Sequence, residues 1–218
     1  PLRDWDEGIV AQVAREISRS DTHWLYPTLD GEPYFNKPPL VHTLIAVAYR
    51  IGGVNEWTAR LPGATLCAFS VPLLYGIGRE LFPLRGPAIF AALVYLTLLP
   101  VVRHGRLAML DGAVLCFFLL MVWSLLRSRR DLRYGLGIGI GLGLLSLTKG
   151  LVALPLVSIV ALCALWETPR LLASGYLWSG LLLGLAPALA WYGALLQQYG
   201  ASFISAHFVS QYWVRIIS

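Results

Sequence analysis

Charged residues are scarce in this sequence, and their scarcity excludes most soluble folds. They make up 13% of the 218 residues, hydrophobic residues make up 57%, and the mean hydropathy is +0.65. A soluble domain carries about 25% charged and about 45–50% apolar residues. A disordered segment is also excluded, because disorder requires low hydrophobicity. The composition therefore predicts an all-α, multi-pass transmembrane helix bundle.

Lysine and cysteine are scarce as well. The basic residues are 15 arginines and two lysines, Lys37 and Lys149, spread through short loops. The net charge of +5 therefore indicates membrane topology and no nucleic-acid partner. The three cysteines lie inside apolar runs without a C-x-x-C pair, and no H-E-x-x-H spacing occurs. These patterns indicate neither a disulfide framework nor a zinc motif.

The sequence divides into a polar head, residues 1–58, and a helical membrane bundle, residues 59–218. Ile9, Val13 and Ile17 recur every four residues and predict an amphipathic helix over residues 7–19. This helix is too short and too charged to span a bilayer, so we expect it to lie at the membrane interface. A second short helix is predicted over residues 40–51.

Six apolar segments in the second part predict about six membrane spans. Their approximate bounds are 59–81, 86–103, 111–127, 133–148, 150–166 and 176–196. Glycines recur every four residues in the fourth segment, and this spacing predicts close contact between helices in lipid. They are Gly135, Gly139 and Gly143, with Gly137 and Gly141 between them. The chain begins at Pro1 without a methionine or signal peptide, so we expect a longer protein with an earlier span.

Arginines in alternate loops predict the orientation of the bundle. They are Arg79, Arg85, Arg127, Arg129, Arg130, Arg133 and Arg170. The positive-inside rule assigns these loops to the cytoplasm and the head to the opposite face. Arg103 and Arg106 would then lie on the outer face, against the rule, which indicates a local role such as holding an anion.

This topology gathers acidic and basic residues on the outer face. The set is Asp4, Asp6, Glu7, Lys37, Arg60, Arg103, His104, Arg106, Asp111, Lys149 and His207. A carboxylate can take a proton from an acceptor hydroxyl, and fixed cations can hold a phosphate leaving group. A sugar carried on a lipid phosphate would supply that leaving group.

Each of these residues also has a structural interpretation. Asp4 and Glu7 have the spacing of a capping box, and Asp111 is placed to cap the helix that it begins. Lys37 fits a solvated surface position, and Lys149 fits a side chain that reaches from a helix end to the interface. The histidines fit interfacial polar positions.

Five motifs in order resemble the protein-O-mannosyltransferase-like glycosyltransferases of the GT-C fold, in the bacterial branch that includes the lipid A aminoarabinose transferases. The motifs are Asp6-Glu7 with Val13-Ala14-Arg15-Glu16, Gly31 to Leu40 (GEPYFNKPPL), Ala59-Arg60-Leu61-Pro62, Gly105-Arg106 to Asp111-Gly112, and Leu147-Thr148-Lys149-Gly150. The resemblance covers nearly the whole chain.

The resemblance implies an inverting membrane enzyme. It would move a sugar from a polyprenyl-phosphate carrier to a lipid, glycan or protein acceptor on the outer face of the bacterial cytoplasmic membrane. Asp6 matches the catalytic Asp, Lys37 is expected near the donor phosphate, and Asp111 is expected at the same pocket. We expect Lys149 or Arg106 to assist Lys37, and Glu7 and Arg60 to support the substrate site. The family's first span would precede Pro1, and later spans and a soluble part would follow Ser218.

The sequence alone leaves alternatives open for the cofactor and for the function. Aminoarabinose transferases commonly carry Glu where this chain has Asn36, and a neutral amide coordinates cations more weakly than a carboxylate. No cofactor is assigned, and a divalent metal stays an open alternative. A transporter or lipid flippase would need charges near the middle of its spans, and a non-catalytic scaffold predicts no convergence of Asp6, Lys37 and Asp111.

Overall fold

The protein is a helical bundle with one small β-hairpin near its start. The computed structural model describes residues 2, 5–20 and 22–205. The helices are α1 (Trp5–Arg19), α2 (Leu40–Gly52), α3 (Glu56–Leu81), α4 (Arg85–Thr97), α5 (Leu99–His104), α6 (Asp111–Ser128), α7 (Gly135–Lys149), α8 (Leu154–Glu167), α9 (Gly175–Tyr199) and α10 (Ala201–Ile204). The strands are β1 (Thr28–Leu29) and β2 (Glu32–Pro33). The predicted all-α class is confirmed.

Helix α1 has the predicted amphipathic pattern, but protein covers its apolar stripe. Val13 and Ile17 are fully buried with Tyr34 and Ala46, the latter on α2. The expected location of α1 at the membrane interface stays a prediction, and its apolar stripe packs against protein. The reason is that α2 is itself largely apolar and supplies a protein surface for the stripe to pack against.

A carboxylate on α1 holds the hairpin against the helix. The hairpin turns at Asp30 and Gly31, whose φ angles of 54° and 84° suit the Asp-Gly pair of a tight turn. The Glu16 carboxylate accepts hydrogen bonds from the Asp30 backbone N–H at 2.7 Å, from Gln12 at 3.1 Å and from the Thr28 hydroxyl. The polar side of α1 thereby fixes the path of the loop that leads to α2.

Three of the described helices are long and apolar enough to cross a membrane: α3, α6 and α9. The predicted segment 86–103 is not one helix, because the chain leaves helical geometry at Leu98 between α4 and α5. Pro100 explains the break, since its ring lacks the N–H that would continue the helix and clashes with the preceding turn. Short 3₁₀ turns at Leu132–Tyr134 and Gly150–Ala153 likewise shorten the fourth and fifth predicted segments to α7 and α8.

Ion pairs gather the carboxyl ends of three helices at one end of the bundle. Glu80 of α3 accepts from Arg127 at 2.7 Å and lies 3.5 Å from Arg130. Arg129 pairs with Glu167 at the end of α8. Three of the arginines that the sequence analysis assigned to a common side therefore meet there.

The glycines of α7 allow it to contact two neighbours at backbone distance. Gly139 and Gly143 face Gly180 and Gly184 of α9, and a Cβ built on either α7 glycine would overlap the α9 backbone. Gly137 and Gly141 instead face α6, at Ser124 and Met121. The predicted role of this glycine series in close helix contact is confirmed.

We expect Gly143→Ala to destabilise the protein, because its methyl group would overlap the Gly184 carbonyl and force α7 and α9 apart. Overpacking of this kind costs about 1–3 kcal/mol. The measurement is the thermal unfolding midpoint of the full-length protein in detergent. Gly193→Ala on α9 is the matched control, since nothing lies within 4 Å of its added methyl. Equal midpoints for the two variants would contradict this account of the helix contact.

Candidate active site

Residues from the head and the bundle line a cavity of about 420 Å³. We call it the acidic–basic cavity. Its lining consists of Asp6, Ile9, Val10, Tyr34, Asn36, Lys37, Met109, Leu110, Asp111 and Lys149. The structure thus brings together four of the seven predicted site residues, Asp6, Lys37, Asp111 and Lys149, although they are up to 143 positions apart in the sequence.

Helix geometry points the adjacent carboxylates of α1 in two directions. Successive residues of an α-helix are rotated by about 100°, so Asp6 and Glu7 cannot share a face. Asp6 is exposed in the acidic–basic cavity, whereas Glu7 is completely buried. Both lie in the first turn of α1, where the helix dipole favours negative charge.

The buried Glu7 carboxylate binds two distant segments of the chain. Arg60 of α3 donates two hydrogen bonds to it, from Nε to Oε1 at 2.8 Å and from a terminal nitrogen to Oε2 at 2.9 Å. The backbone N–H of Ala108 donates to Oε1 at 2.9 Å. A paired guanidinium and carboxylate with this fork geometry give direction as well as attraction. Glu7 therefore fixes the start of α1, and with it Asp6, to the bundle.

Asp111 and Lys149 form an ion pair in the cavity wall. Asp111 begins α6 and Lys149 ends α7, so the two antiparallel helices bring these ends together. Lys149 Nζ donates to Asp111 Oδ1 at 2.7 Å, and the side chains are 27% and 48% exposed respectively. Each charge also complements the dipole of its own helix. The pair holds an ammonium group at the cavity surface.

The loop before α2 places a tyrosine and a lysine beside Asp6. Tyr34 is buried, and burial together with the negative charge of Asp6 raises the pKa of its hydroxyl to about 12. Lys37 is half-buried. Pro38 and Pro39 follow it, and Pro39 directly precedes the first residue of α2. Because proline fixes φ, the two prolines restrict the backbone that presents Lys37 to the cavity.

His42 lies behind this loop and is fully buried. Its ring stands edge-on to Tyr34, with the ring centres 5.6 Å apart. Burial lowers the pKa of His42 to about 4, and the positive charge of Lys37 adds to that effect. The Pro38 carbonyl partly offsets it, although neither ring nitrogen has hydrogen-bond geometry to any described residue. The imidazole is therefore neutral at physiological pH.

Arg60 and Arg106, also predicted as substrate-binding residues, line a different cavity of about 630 Å³. We call it the arginine cavity. Its lining consists of Glu56, Trp57, Arg60, Leu61, Ala64, Arg103, Arg106 and Leu107. Arg106 therefore lines a different cavity from Lys37, and its expected role in assisting Lys37 stays a prediction. His104 is exposed on α5, and Asp4 and His207 lie outside the described residues.

A divalent metal was left open by the sequence, and the described residues offer no cluster of ligands for one. Among the described residues, no group of three His, Cys, Asp or Glu side chains is placed to hold a metal ion. Asn36, which stands where aminoarabinose transferases commonly carry Glu, lines the acidic–basic cavity.

Some cavity residues were not predicted from the sequence. Tyr34 lies within the quoted GEPYFNKPPL motif, which was a usable signal, but nothing in its spacing indicated contact with Asp6. Met109 and Leu110 give no chemical signal, because apolar residues are common throughout the chain. Glu16 lies within the Val13-Ala14-Arg15-Glu16 motif, but nothing in that motif indicated that its carboxylate holds the hairpin against α1.

Comparisons with known proteins identify the family. Residues 36–192, more than half of the chain, match the model of the dolichyl-phosphate-mannose-protein mannosyltransferase family. The chain is 31% identical over 173 residues to the undecaprenyl phosphate-alpha-4-amino-4-deoxy-L-arabinose arabinosyl transferase of Aeromonas hydrophila, covering 73% of this chain and 30% of that protein. It is 31% identical over 207 residues to the transferase of the same name from Shewanella sediminis, covering 87% of this chain and 36% of that protein.

The fold is also that of a solved structure. The crystal structure of ArnT from Cupriavidus metallidurans bound to undecaprenyl phosphate superposes with a TM-score of 0.81 at 22% identity, covering 97% of this chain and 40% of that one. The chain belongs to the dolichyl-phosphate-mannose-protein mannosyltransferase family, and it is a multi-pass membrane protein with the GT-C fold. It spans about a third of the length of the curated relatives that it matches.

We expect Arg60→Ala to destabilise the protein by about 3 kcal/mol, because it leaves the Glu7 carboxylate buried without its cation. The unfolding midpoint in detergent is the measurement, and Arg85→Ala, which removes an exposed arginine at the start of α4, is the control. Adding Glu7→Gln to Arg60→Ala should recover part of the loss, since a neutral amide is less costly to bury than a carboxylate. A double variant no more stable than Arg60→Ala would contradict this interpretation.

We expect the buried His42 to make the protein less stable in acid. Its pKa is about 4 in the folded protein and 6.5 when unfolded, so the unfolded state binds more protons between these values. The contribution of the His42 shift to the free energy of unfolding is at most about 3 kcal/mol. It is fully present above pH 6.5, falls as the pH drops and is lost near pH 4. Unfolding midpoints of His42→Phe from pH 8 to pH 4.5 should fall less than those of the wild type. His104→Phe, which removes an exposed histidine, should follow the wild type; a parallel fall in all three proteins would refute the assignment.

Proposed function

We propose that this chain is the membrane part of a glycosyltransferase that moves a sugar from a polyprenyl-phosphate carrier to an acceptor hydroxyl, with inversion. The observation that carries the proposal is the convergence of Asp6, Lys37, Asp111 and Lys149 in one cavity. An exposed carboxylate opposite two ammonium groups is the arrangement that this reaction needs. The names of the Aeromonas and Shewanella relatives support a polyprenyl-phosphate donor.

Asp6 is the general base of the proposed reaction. The acceptor oxygen attacks the anomeric carbon of the sugar as the bond from that carbon to the phosphate oxygen breaks. The acceptor proton passes to the Asp6 carboxylate, and attack from the side opposite the phosphate inverts the anomeric centre. Glu7 is a positioning residue, because its bonds to Arg60 and Ala108 fix the turn of α1 that carries Asp6.

Lys37 and Lys149 hold the phosphate that leaves. The negative charge on the phosphate grows as the sugar–oxygen bond breaks, so fixed cations stabilise the transition state more than the ground state. Asp111 orients the Lys149 ammonium through its 2.7 Å hydrogen bond and holds it beside the cavity. The Tyr34 hydroxyl is neutral at physiological pH, with its pKa raised further to about 12 by burial and by the charge of Asp6, and it adds a hydrogen-bond donor in the cavity.

The cavity is assigned to the outer face of the bacterial cytoplasmic membrane. The arginines that pair with Glu80 and Glu167 lie at the opposite end of the bundle, and the positive-inside rule supports a cytoplasmic location for that end. The acceptor is a lipid, glycan or protein that is accessible from outside. The names of the relatives favour lipid A modification over protein glycosylation.

A transporter or lipid flippase receives less support. Such a protein needs ionisable groups near the middle of its spans. Here the acidic and basic residues of the cavity lie at the ends of α1, α6 and α7 or in the loop before α2. Charges at one end suit a reaction at the membrane surface better than passage through the bilayer.

We expect Asp6→Asn to reduce sugar transfer at least 100-fold, because an amide cannot accept the acceptor proton. The assay uses the full-length protein in lipid, a panel of polyprenyl-phosphate sugars and membrane extract as the source of acceptor, and it follows the release of polyprenyl phosphate. Glu32→Gln is the matched control, since Glu32 is an exposed carboxylate on β2 that does not line the cavity.

Two results would count against the proposal. Normal release by Asp6→Asn would show that another group is the base. No release from any donor by well-folded wild-type protein would remove the reaction class itself and return transport as the leading interpretation.

A further inference from the structure

The arginine cavity holds two cationic side chains without a partner in the described chain. Arg103 and Arg106 are exposed, and neither forms a hydrogen bond or an ion pair with another described residue through its side chain. Arg60 is engaged by Glu7 and also faces Glu56, so its charge is largely compensated. Because Glu7 neutralises Arg60, Arg103 and Arg106 add two positive charges to the lining and Glu56 adds one negative charge. The lining therefore carries a net positive charge, which favours binding of an anion.

The surroundings of this cavity are apolar. Trp57 and Leu61 line it and are 86% and 58% exposed, and Leu99 and Val102 of α5 are exposed next to Arg103. Tryptophan is enriched where a protein crosses the boundary between lipid headgroups and water. A free anion would gain nothing from this apolar rim, whereas a lipid with a charged headgroup would contact both parts.

The arginine cavity is separate from the acidic–basic cavity. The chain between Gly105 and Asp111 divides them, with Leu107 facing the first and Met109 and Leu110 facing the second. At the centre of this divider, the Ala108 N–H is bound to the buried Glu7. The phosphate held by Lys37 and Lys149 in the proposed reaction is therefore not the ligand of Arg103 and Arg106.

We propose that Arg103 and Arg106 bind the phosphate of an anionic phospholipid from the surrounding bilayer, whose acyl chains lie along the exposed apolar residues of α3 and α5. The guanidinium groups match the oxygen atoms of a phosphate in pairs, and each basic residue near a membrane surface strengthens binding of anionic lipid. This site explains why two arginines stand at the end of the bundle where the positive-inside rule disfavours them. It does not depend on the proposed transferase activity.

The test measures lipid binding to the full-length protein by native mass spectrometry, with phosphatidylglycerol and phosphatidylcholine of identical acyl chains. We expect the wild type to prefer phosphatidylglycerol and R103Q/R106Q to bind it roughly tenfold more weakly, with phosphatidylcholine binding unchanged. The control is R15Q/R19Q, which removes the same charge from exposed arginines of α1 that do not line this cavity and should bind like the wild type.

Several outcomes would overturn the site. Equal binding of the two lipids by the wild type would do so, as would an undiminished preference in R103Q/R106Q. Displacement of phosphatidylglycerol by an equal concentration of inorganic phosphate would assign the cavity to a free anion. Displacement by undecaprenyl phosphate, lost in R103Q/R106Q, would assign it to the donor. Matching unfolding midpoints of the variants and the wild type confirm that the comparison is between folded proteins.

Discussion

The burial of the Glu7 carboxylate is the constraint on which the rest of the site depends. A carboxylate removed from water needs a cation and hydrogen-bond donors, and Arg60 and the Ala108 N–H supply them. These two partners belong to α3 and to the segment before α6, so a single group joins the head to two parts of the bundle. Both cavities lie beside this junction, since Arg60 and Leu107 line one and Asp6 and Met109 line the other.

The neighbouring residues Asp6 and Glu7 show how one turn of helix divides two tasks. Both are acidic and both lie at the start of α1, but the rotation of the helix buries one and exposes the other. The buried carboxylate fixes the backbone, and the exposed one faces the cavity. A reactive group on a rigid, internally paired element is held more precisely than one on a free loop.

The sequence predicted the elements better than their contacts. The periodicity of Ile9, Val13 and Ile17 predicted α1, and the glycine spacing predicted close helix contacts of α7, because both signals are local. The identity of the partner helix, α9, was not predicted. The break at Leu98 was missed, since Pro100 was read as part of an apolar run and not as a helix breaker. The sequence also could not predict that Arg106 and Lys37 line different cavities. The segment that divides the cavities is held by the hydrogen bond from Ala108 to Glu7, and these two residues are 101 positions apart.

That long separation has a consequence for how the protein is made. When α1 leaves the ribosome, neither Arg60 nor Ala108 has been synthesised, so the Glu7 carboxylate must remain hydrated. About 100 further residues take roughly 5 to 20 seconds at ordinary rates of translation. Until the chain has passed Ala108 and α3 has entered the bilayer, the apolar stripe of α1 can pack on α2, but the Glu7 carboxylate lacks its partners. The head therefore completes its assembly late, after the helices that hold it are already inserted.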